Sequence, residues 1–290
     1  MSELVIGVIG GSGLYQLDGL TDLERVHLET PFGPPSDDFT VGRLAGKRMV
    51  FLPRHGVGHR IVPSEINFRA NVWGMKKLGV SQLISLSAVG SMKESIAPGH
   101  LVLVDQFIDL TRRRTSTFYG NGVVVHVPMA DPVCKGMRGL LKAIADEEGI
   151  LAHGQGTYVC VEGPQFSTRA ESLIYRSWGV DVIGMTNMPE AKLAREAEIA
   201  YATIALATDY DCWHESEASV SVEAVLRVLA ANVEKAKRLL VRYAERATLA
   251  TATHECTTAA RSGLMTPKEH IPPEVRAALD PIFRPFLGAP

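Results

Sequence analysis

Cysteine is scarce in this chain: four residues in 290, Cys134, Cys160, Cys212 and Cys256, with no Cys-x-x-Cys pair. That excludes a zinc ribbon, a dithiol redox motif and a disulfide scaffold, and reduced thiols are expected. An excess of either charge is also missing, since 30 basic and 32 acidic residues leave a net charge of -2. Neither nucleic acid nor an anionic membrane is an expected partner. The densest basic run, Arg112-Arg113-Arg114, reads as a solvated loop. No apolar run approaches the roughly 18 residues that a membrane span needs. The short run at 4–9 follows Met1-Ser2-Glu3 without a basic region, so no secretory signal is expected and the cytoplasm is the expected location. Repeats, low-complexity tracts and Pro/Gly/Ser-rich linkers are lacking too, which favours a single domain.

What remains is an ordinary globular composition, 46% hydrophobic and 21% charged, in a chain long enough to bury a large core. Apolar runs at 4–9, 48–52, 82–86, 101–104, 157–161 and 199–207 predict strands, several of them apolar on both faces. Helices are predicted between them at 63–78, 134–148, 168–177 and 189–198. A longer one is predicted from about Ser221, where Val222, Val225, Leu226, Leu229 and Val233 form an amphipathic stripe. Alternating strands and helices give an α/β fold. The domain is expected over 1–253. The proline-interrupted tail, 254–290, is expected to pack on the same domain or on a neighbouring subunit.

Several segments have the residue types that chemistry needs. Gly10-Gly11-Ser12-Gly13 follows the first strand, where open backbone and a hydroxyl suit an anion. A dinucleotide fingerprint would need a third small residue where Gln16 stands. Arg54-His55-Gly56 ends the second strand, and a guanidinium fork there suits phosphate; His59 is close enough to assist or to lie on the surface. Ser85, Ser87 and Ser91 surround Ala88-Val89-Gly90 as a second cradle. Asp209 and Asp211 follow the most apolar strand, and in extended chain an i, i+2 pair points to one side. Like charges so placed raise at least one pKa, which suits proton donation. No set of His, Asp or Glu at ligand spacing accompanies them, so no metal is expected. The segment from Glu162 to Glu171 leads through Phe166, which is free to join the core or to stack on a flat ring.

Taken in order, these motifs resemble the purine nucleoside phosphorylase superfamily, most closely its 5'-methylthioadenosine phosphorylase branch. The pieces are Ile9-Gly10-Gly11-Ser12-Gly13-Leu14, Arg54-His55-Gly56, Glu162-Gly163-Pro164-Gln165-Phe166-Ser167-Thr168-Arg169-Ala170-Glu171, Met185-Thr186 with Pro189-Glu190, and Ala207-Thr208-Asp209-Tyr210-Asp211-Cys212-Trp213. The resemblance spans about Ile6 to about Leu240 and implies one α/β domain with a mixed central sheet flanked by helices. It implies phosphorolysis of 5'-methylthioadenosine, with inorganic phosphate as co-substrate and no cofactor. Phosphate would meet Ser12, Arg54, His55, Ser87, Ala88 and Thr186. The nucleoside would meet Phe166 at the purine, Met185 under the ribose, Asp209 at N7 and Asp211 near the 6-amino group. Val222, Val225 and Leu226 would line the 5' pocket, with His126 offered by a neighbouring subunit of a homotrimer.

The base can also be argued physically, because a 6-amino group donates and a 6-oxo group accepts. The 6-oxopurine enzymes of the resemblance have Glu and Asn where this chain has Ser167 and Asp209, so adenine-type bases are expected. The alternatives are another purine nucleoside phosphorylase, acting on adenosine or 6-oxopurine nucleosides, and a phosphate-independent nucleosidase.

Overall fold

A computed structural model describes residues 3–11, 17–214 and 222–289, without the side chains of 222, 224 and 225. The described residues form one mixed sheet of eleven strands. In chain order these are β1 (Val5–Gly10), β2 (Thr21–Val26), β3 (Phe39–Leu44), β4 (Lys47–Pro53), β5 (Gln82–Ser91), β6 (Leu101–Leu103), β7 (Gln106–Asp109), β8 (Ala152–His153), β9 (Thr157–Cys160), β10 (Val182–Gly184) and β11 (Ala200–Asp209). The helices are α1 (Phe68–Lys77), α2 (Lys135–Glu147), α3 (Arg169–Ser177), α4 (Asn187–Glu196), α5 (Val222–Arg246), α6 (His254–Thr257), α7 (Ala259–Gly263), α8 (Pro273–Ala278) and α9 (Asp280–Leu287). None of the described helices is long and apolar enough to cross a membrane.

β5 is the branch point of the sheet. β1 runs parallel to its first half, from Ile6 opposite Gln82 to Ile9 opposite Ser85. β10 pairs antiparallel with its last residues, Gly90 and Ser91. β11 runs parallel along it from Ala200 opposite Gln82 to Asp209 opposite Gly90, with a bulge before Asp209. Since β4 is parallel to β1, strands β4, β1, β5 and β11 all end on one side of the sheet. Ligand crevices of open α/β sheets form at such carboxyl ends, and this brings Arg54, Gly10, Ser87 and Asp209 to one region. β1 is buried along its whole length and β11 up to Asp209, as strands covered on both faces must be.

Five of the six predicted strands are found at nearly the predicted bounds; β5 continues five residues past the predicted end at Leu86, through the segment read as a polar cradle, and β2, β3, β7, β8 and β10 were not anticipated. β2 is an exposed edge strand bearing Asp22, Glu24 and Arg25, with no apolar alternation to reveal it, and β8 and β10 are only two and three residues long. The helix expected from Pro63 divides: Pro63–Glu65 is a single 3-10 turn. α1 begins at Phe68 because the Asn67 side chain accepts the Ala70 N–H at 3.1 Å. α3 starts as its Thr-x-x-Glu spacing requires, with Thr168 and Glu171 capping each other reciprocally.

The segment after residue 253 lies on the same body. Trp73 of α1 donates through Nε1 to the Ala278 carbonyl at 2.9 Å, Ile282 and Phe283 are buried, and the Phe283 ring stacks on Tyr119 at 5.9 Å. Truncating a buried Phe costs about 3–5 kcal/mol. Phe283→Ala is therefore expected to lower the thermal unfolding midpoint by several degrees, measured by calorimetry; an unchanged midpoint would mean that the tail does not stabilise the body.

Candidate active site

The strand ends carry two groups of polar side chains, and the first is centred on Arg54. Its guanidinium is 2% exposed and bonds Glu190 of α4 through Nε at 2.8 Å and Nη2 at 3.1 Å. Nη2 also reaches Ser85 Oγ at 2.6 Å and the Ile9 carbonyl at 3.4 Å, and Nη1 donates to the Leu86 carbonyl at 3.0 Å. The planar fork expected to hold phosphate is thus directed at Glu190. Among the described residues Nη1 has one partner, so a single N–H is left for a ligand. The cause is burial: a guanidinium this deep needs a counter-charge in its own plane.

Ser85 and Ser87 share a face of β5, being two residues apart. Ser87 Oγ lies 3.0 Å from Thr186 Oγ1 and 3.2 Å from the Tyr158 hydroxyl, so Ser87, Ala88 and Thr186 come together as expected. Burial pushes the Tyr158 phenol up to about 12, which keeps it a neutral donor. Ser91 does not join this cradle, because its hydroxyl donates to the Lys93 carbonyl at 2.8 Å.

His55 is half-buried, and its Nδ1 donates to the Ile61 carbonyl at 2.8 Å, which leaves Nε2 as an acceptor in the neutral ring. Burial and the Arg54 cation push the imidazole down to about 4. His59 stacks on it at 4.1 Å from the exposed side.

The second group contains the carboxylates. β11 ends at Asp209, whose oxygens accept from Thr208 Oγ1 at 2.7 Å and from the Asp211 backbone N–H at 2.8 Å. The extended i, i+2 geometry expected from the sequence is not found. Asp211 sits at φ 55° in a 3-10 turn, Asp211–Trp213, and Ser172 of α3 donates to its Oδ2 at 2.5 Å. Both carboxyls are raised, chiefly by burial; the mutual repulsion foreseen from the sequence is a minor contribution to Asp211. Gly90 makes room here, because a Cβ at that position would lie 3.1 Å from Asp209 Oδ1 and 3.2 Å from Asp211 Cβ.

Phe166 projects from the loop between β9 and α3, and at 73% exposed it is not a core residue. Cys212 ties that loop to the carboxylate turn through the Ser167 carbonyl, at 3.4 Å. Met185 packs under Gly163, whose φ of 66° and 2.5 Å approach of the Met185 sulfur to a would-be Cβ both require glycine.

The basic run read as a solvated loop is not one at Arg114. That side chain is buried and bonds Glu162 at 2.8 Å, the Met185 and Met188 carbonyls at 2.7 Å and the Glu162 carbonyl at 2.7 Å. It fastens the start of the aromatic loop, at Glu162, to Met185 and Met188. Glu190, Arg114, Tyr158, Tyr201 and Ser172 were all missed as site residues. Each works through a partner distant in sequence, so local spacing carries no trace of it.

Other expected residues are not gathered here. His126 is exposed, with its backbone N–H on the Gly263 carbonyl at 2.9 Å. Leu226 is exposed on α5. Ser12 and the side chains of Val222 and Val225 lie outside the described residues.

The lowered His55 pKa predicts a pH effect on stability. Between about 6.5 and about 4 the unfolded chain takes up a proton on this histidine before the folded one does. Stability from this residue is therefore complete above pH 6.5 and falls as the pH drops towards 4. Denaturant unfolding of His55→Asn is expected to show a shallower decline over that window; an identical slope would mean that His55 titrates normally.

The sequence profile of the phosphorylase superfamily matches residues 5–245. S-methyl-5'-thioadenosine phosphorylase of Geobacter sulfurreducens is 57% identical over 286 residues, covering 98% of this chain and 100% of that one. The protein of the same name from Koribacter versatilis is 50% identical, covering 98% and 97%. A crystal structure of a methylthioadenosine phosphorylase from an antarctic soil metagenomic library superposes with a TM-score of 0.91 at 46% identity, covering 97% of this chain and 99% of that one.

Proposed function

We infer, since the chain belongs to the phosphorylase superfamily, that it splits 5'-methylthioadenosine with inorganic phosphate, releasing adenine and 5-methylthioribose 1-phosphate. The observation that carries this reading is the juxtaposition at the ends of β5 and β11. A buried cation with a cluster of hydroxyls stands on one side, and two carboxyls whose pKa values burial raises stand on the other.

The chemistry follows from charge. As the C1'–N9 bond stretches, positive charge grows on the ribosyl carbon and negative charge on the purine. Phosphate, oriented by Arg54, His55, Ser12, the Ser87-Ala88 segment of β5 and Thr186, stabilises that cation from the opposite face and captures it. Asp209, protonated more readily than an ordinary carboxyl because it is buried, donates a hydrogen bond or its proton to N7 of the leaving base. Asp211 accepts from the 6-amino group. Phe166 closes over the purine, Met185 supports the ribose, and Val222, Val225 and Leu226 line the 5' pocket. No step in this scheme calls on a cofactor or a metal.

We read residues 1–253 as the catalytic domain and 254–290 as a tail on the same body. The functional unit is a homotrimer in the cytoplasm, with His126 of one subunit offered to the 5' pocket of the next. The exposure of Phe166, Leu226 and His126 is in keeping with surfaces that a ligand or a second subunit covers.

Removing a general acid costs about 10²–10⁴-fold. Asp209→Asn is expected to slow adenine release from 5'-methylthioadenosine by that factor with the unfolding midpoint preserved; near-normal turnover would remove Asp209 from the mechanism. A hydrogen bond to a charged group is worth about 1.5–3 kcal/mol. The 6-oxo analogue of the substrate is therefore expected to be cleaved about 10- to 150-fold less efficiently in kcat/KM; equal efficiency would contradict the assignment of Asp211 to the 6-amino group.

A further inference from the structure

We propose that Glu190 is a positioning residue that loosens the hold on free phosphate while fixing the direction of the Arg54 N–H that meets it. This rests on the reading that phosphate binds against Arg54.

Glu190 is 1% exposed, and both of its oxygens bond the Arg54 guanidinium. The carboxylate is itself locked. Tyr201 donates to its Oε1 at 2.9 Å, and Asn187 donates to the Tyr201 hydroxyl at 2.8 Å and to Ser85 Oγ at 2.9 Å. Ser85 Oγ in turn accepts from Arg54 at 2.6 Å, so the chain of bonds closes on itself. A closed ring of this kind allows the guanidinium one orientation.

The pair is also close to neutral. A phosphate arriving at the Nη1 hydrogen, which has no partner among the described residues, meets a dipole and one donor, with the full cationic charge cancelled by Glu190 a few ångströms away. For a nucleophile this is an advantage. Binding energy spent on free phosphate and kept unchanged in the transition state does not raise kcat. A bare buried guanidinium would hold the dianion tightly and resist the charge redistribution that attack on C1' requires. Glu190 therefore exchanges phosphate affinity for turnover.

The charge and the geometry separate in two variants. Glu190→Gln removes the charge and leaves Arg54 as an unpaired buried cation, which phosphate then neutralises. Glu190→Asp keeps the charge and shortens the reach. Inorganic phosphate is titrated calorimetrically into each dialysed protein, and steady-state rates are measured with 5'-methylthioadenosine. Glu190→Gln is expected to bind phosphate at least about tenfold more tightly, a difference of about 1.4 kcal/mol, with kcat reduced. Its unfolding midpoint without phosphate falls, and phosphate raises that midpoint by more than in the parent. Glu190→Asp is expected to keep the parental phosphate affinity and lose kcat.

Equal loss of phosphate affinity in both variants would mean that Glu190 only holds the fold, and would overturn the proposal. So would a Glu190→Gln chain that fails to fold even in saturating phosphate, since phosphate should then supply the missing counter-charge. A parent protein that binds no phosphate would overturn the functional reading and this one with it. Tight parental binding that weakens in Glu190→Gln would overturn this one alone.

Discussion

The contact between Arg54 and Glu190 is the constraint on which the rest of the site depends. A guanidinium buried to this degree is tolerated only with a counter-charge and with its donors satisfied. Glu190 supplies the charge, while Ser85, Leu86 and Ile9 take further donors. These partners come from β1, β5 and α4, so a single side chain at the end of β4 binds these three elements together. The α4 helix is tied to β11 as well, because Tyr201 bonds both Glu190 and Asn187.

The region around Phe166 and Met185 is organised by a second buried arginine. Arg114 spans Glu162, Met185 and Met188 and so couples the loop bearing Phe166 to the residue expected beneath the ribose. The carboxylate turn joins the same loop through Cys212 and the helix that follows it, α3, through Ser172. Its backbone departs from regular strand at Asp211, a left-handed residue other than glycine. Such conformations cost roughly 1–3 kcal/mol and persist where surrounding contacts determine them. Here the Ser172 hydrogen bond and the Asp209 contact with the Asp211 N–H hold it. The two groups of polar side chains meet at β5, where Ser87 lies against Thr186 and Gly90 clears space for the carboxylates.

Much of this was legible in the sequence, for physical reasons that differ between elements. β1, β5 and β11 are buried on both faces and announce themselves as apolar runs, and the Thr168-x-x-Glu171 spacing marks the start of α3 by its own hydrogen bonds. β2 was hidden because an exposed edge strand needs no apolar pattern. The motifs containing Arg54, Ser87, Thr186 and Asp209 were recognisable as motifs, but the partners of Arg54 were not. Glu190 lies 136 residues away, and only the sheet topology brings the two together. Arg114 was misjudged for the same reason, since its neighbours in sequence are solvated arginines while its neighbours in space are backbone carbonyls. The carboxylate pair, Asp209 and Asp211, was read with the wrong geometry, because the turn after β11 has no glycine or proline to signal it.

Phosphorolysis requires that phosphate, and not water, accept the ribosyl group, and that requirement is open to one direct measurement. Protein freed of bound phosphate is given 5'-methylthioadenosine, and adenine is followed with and without added phosphate while phosphorus resonance tracks the sugar phosphate. The account predicts adenine release only when phosphate is present, with one equivalent of sugar 1-phosphate formed for each adenine. Adenine released at the same rate without phosphate, and no sugar phosphate, would contradict it and assign the Arg54 region a role other than holding the nucleophile.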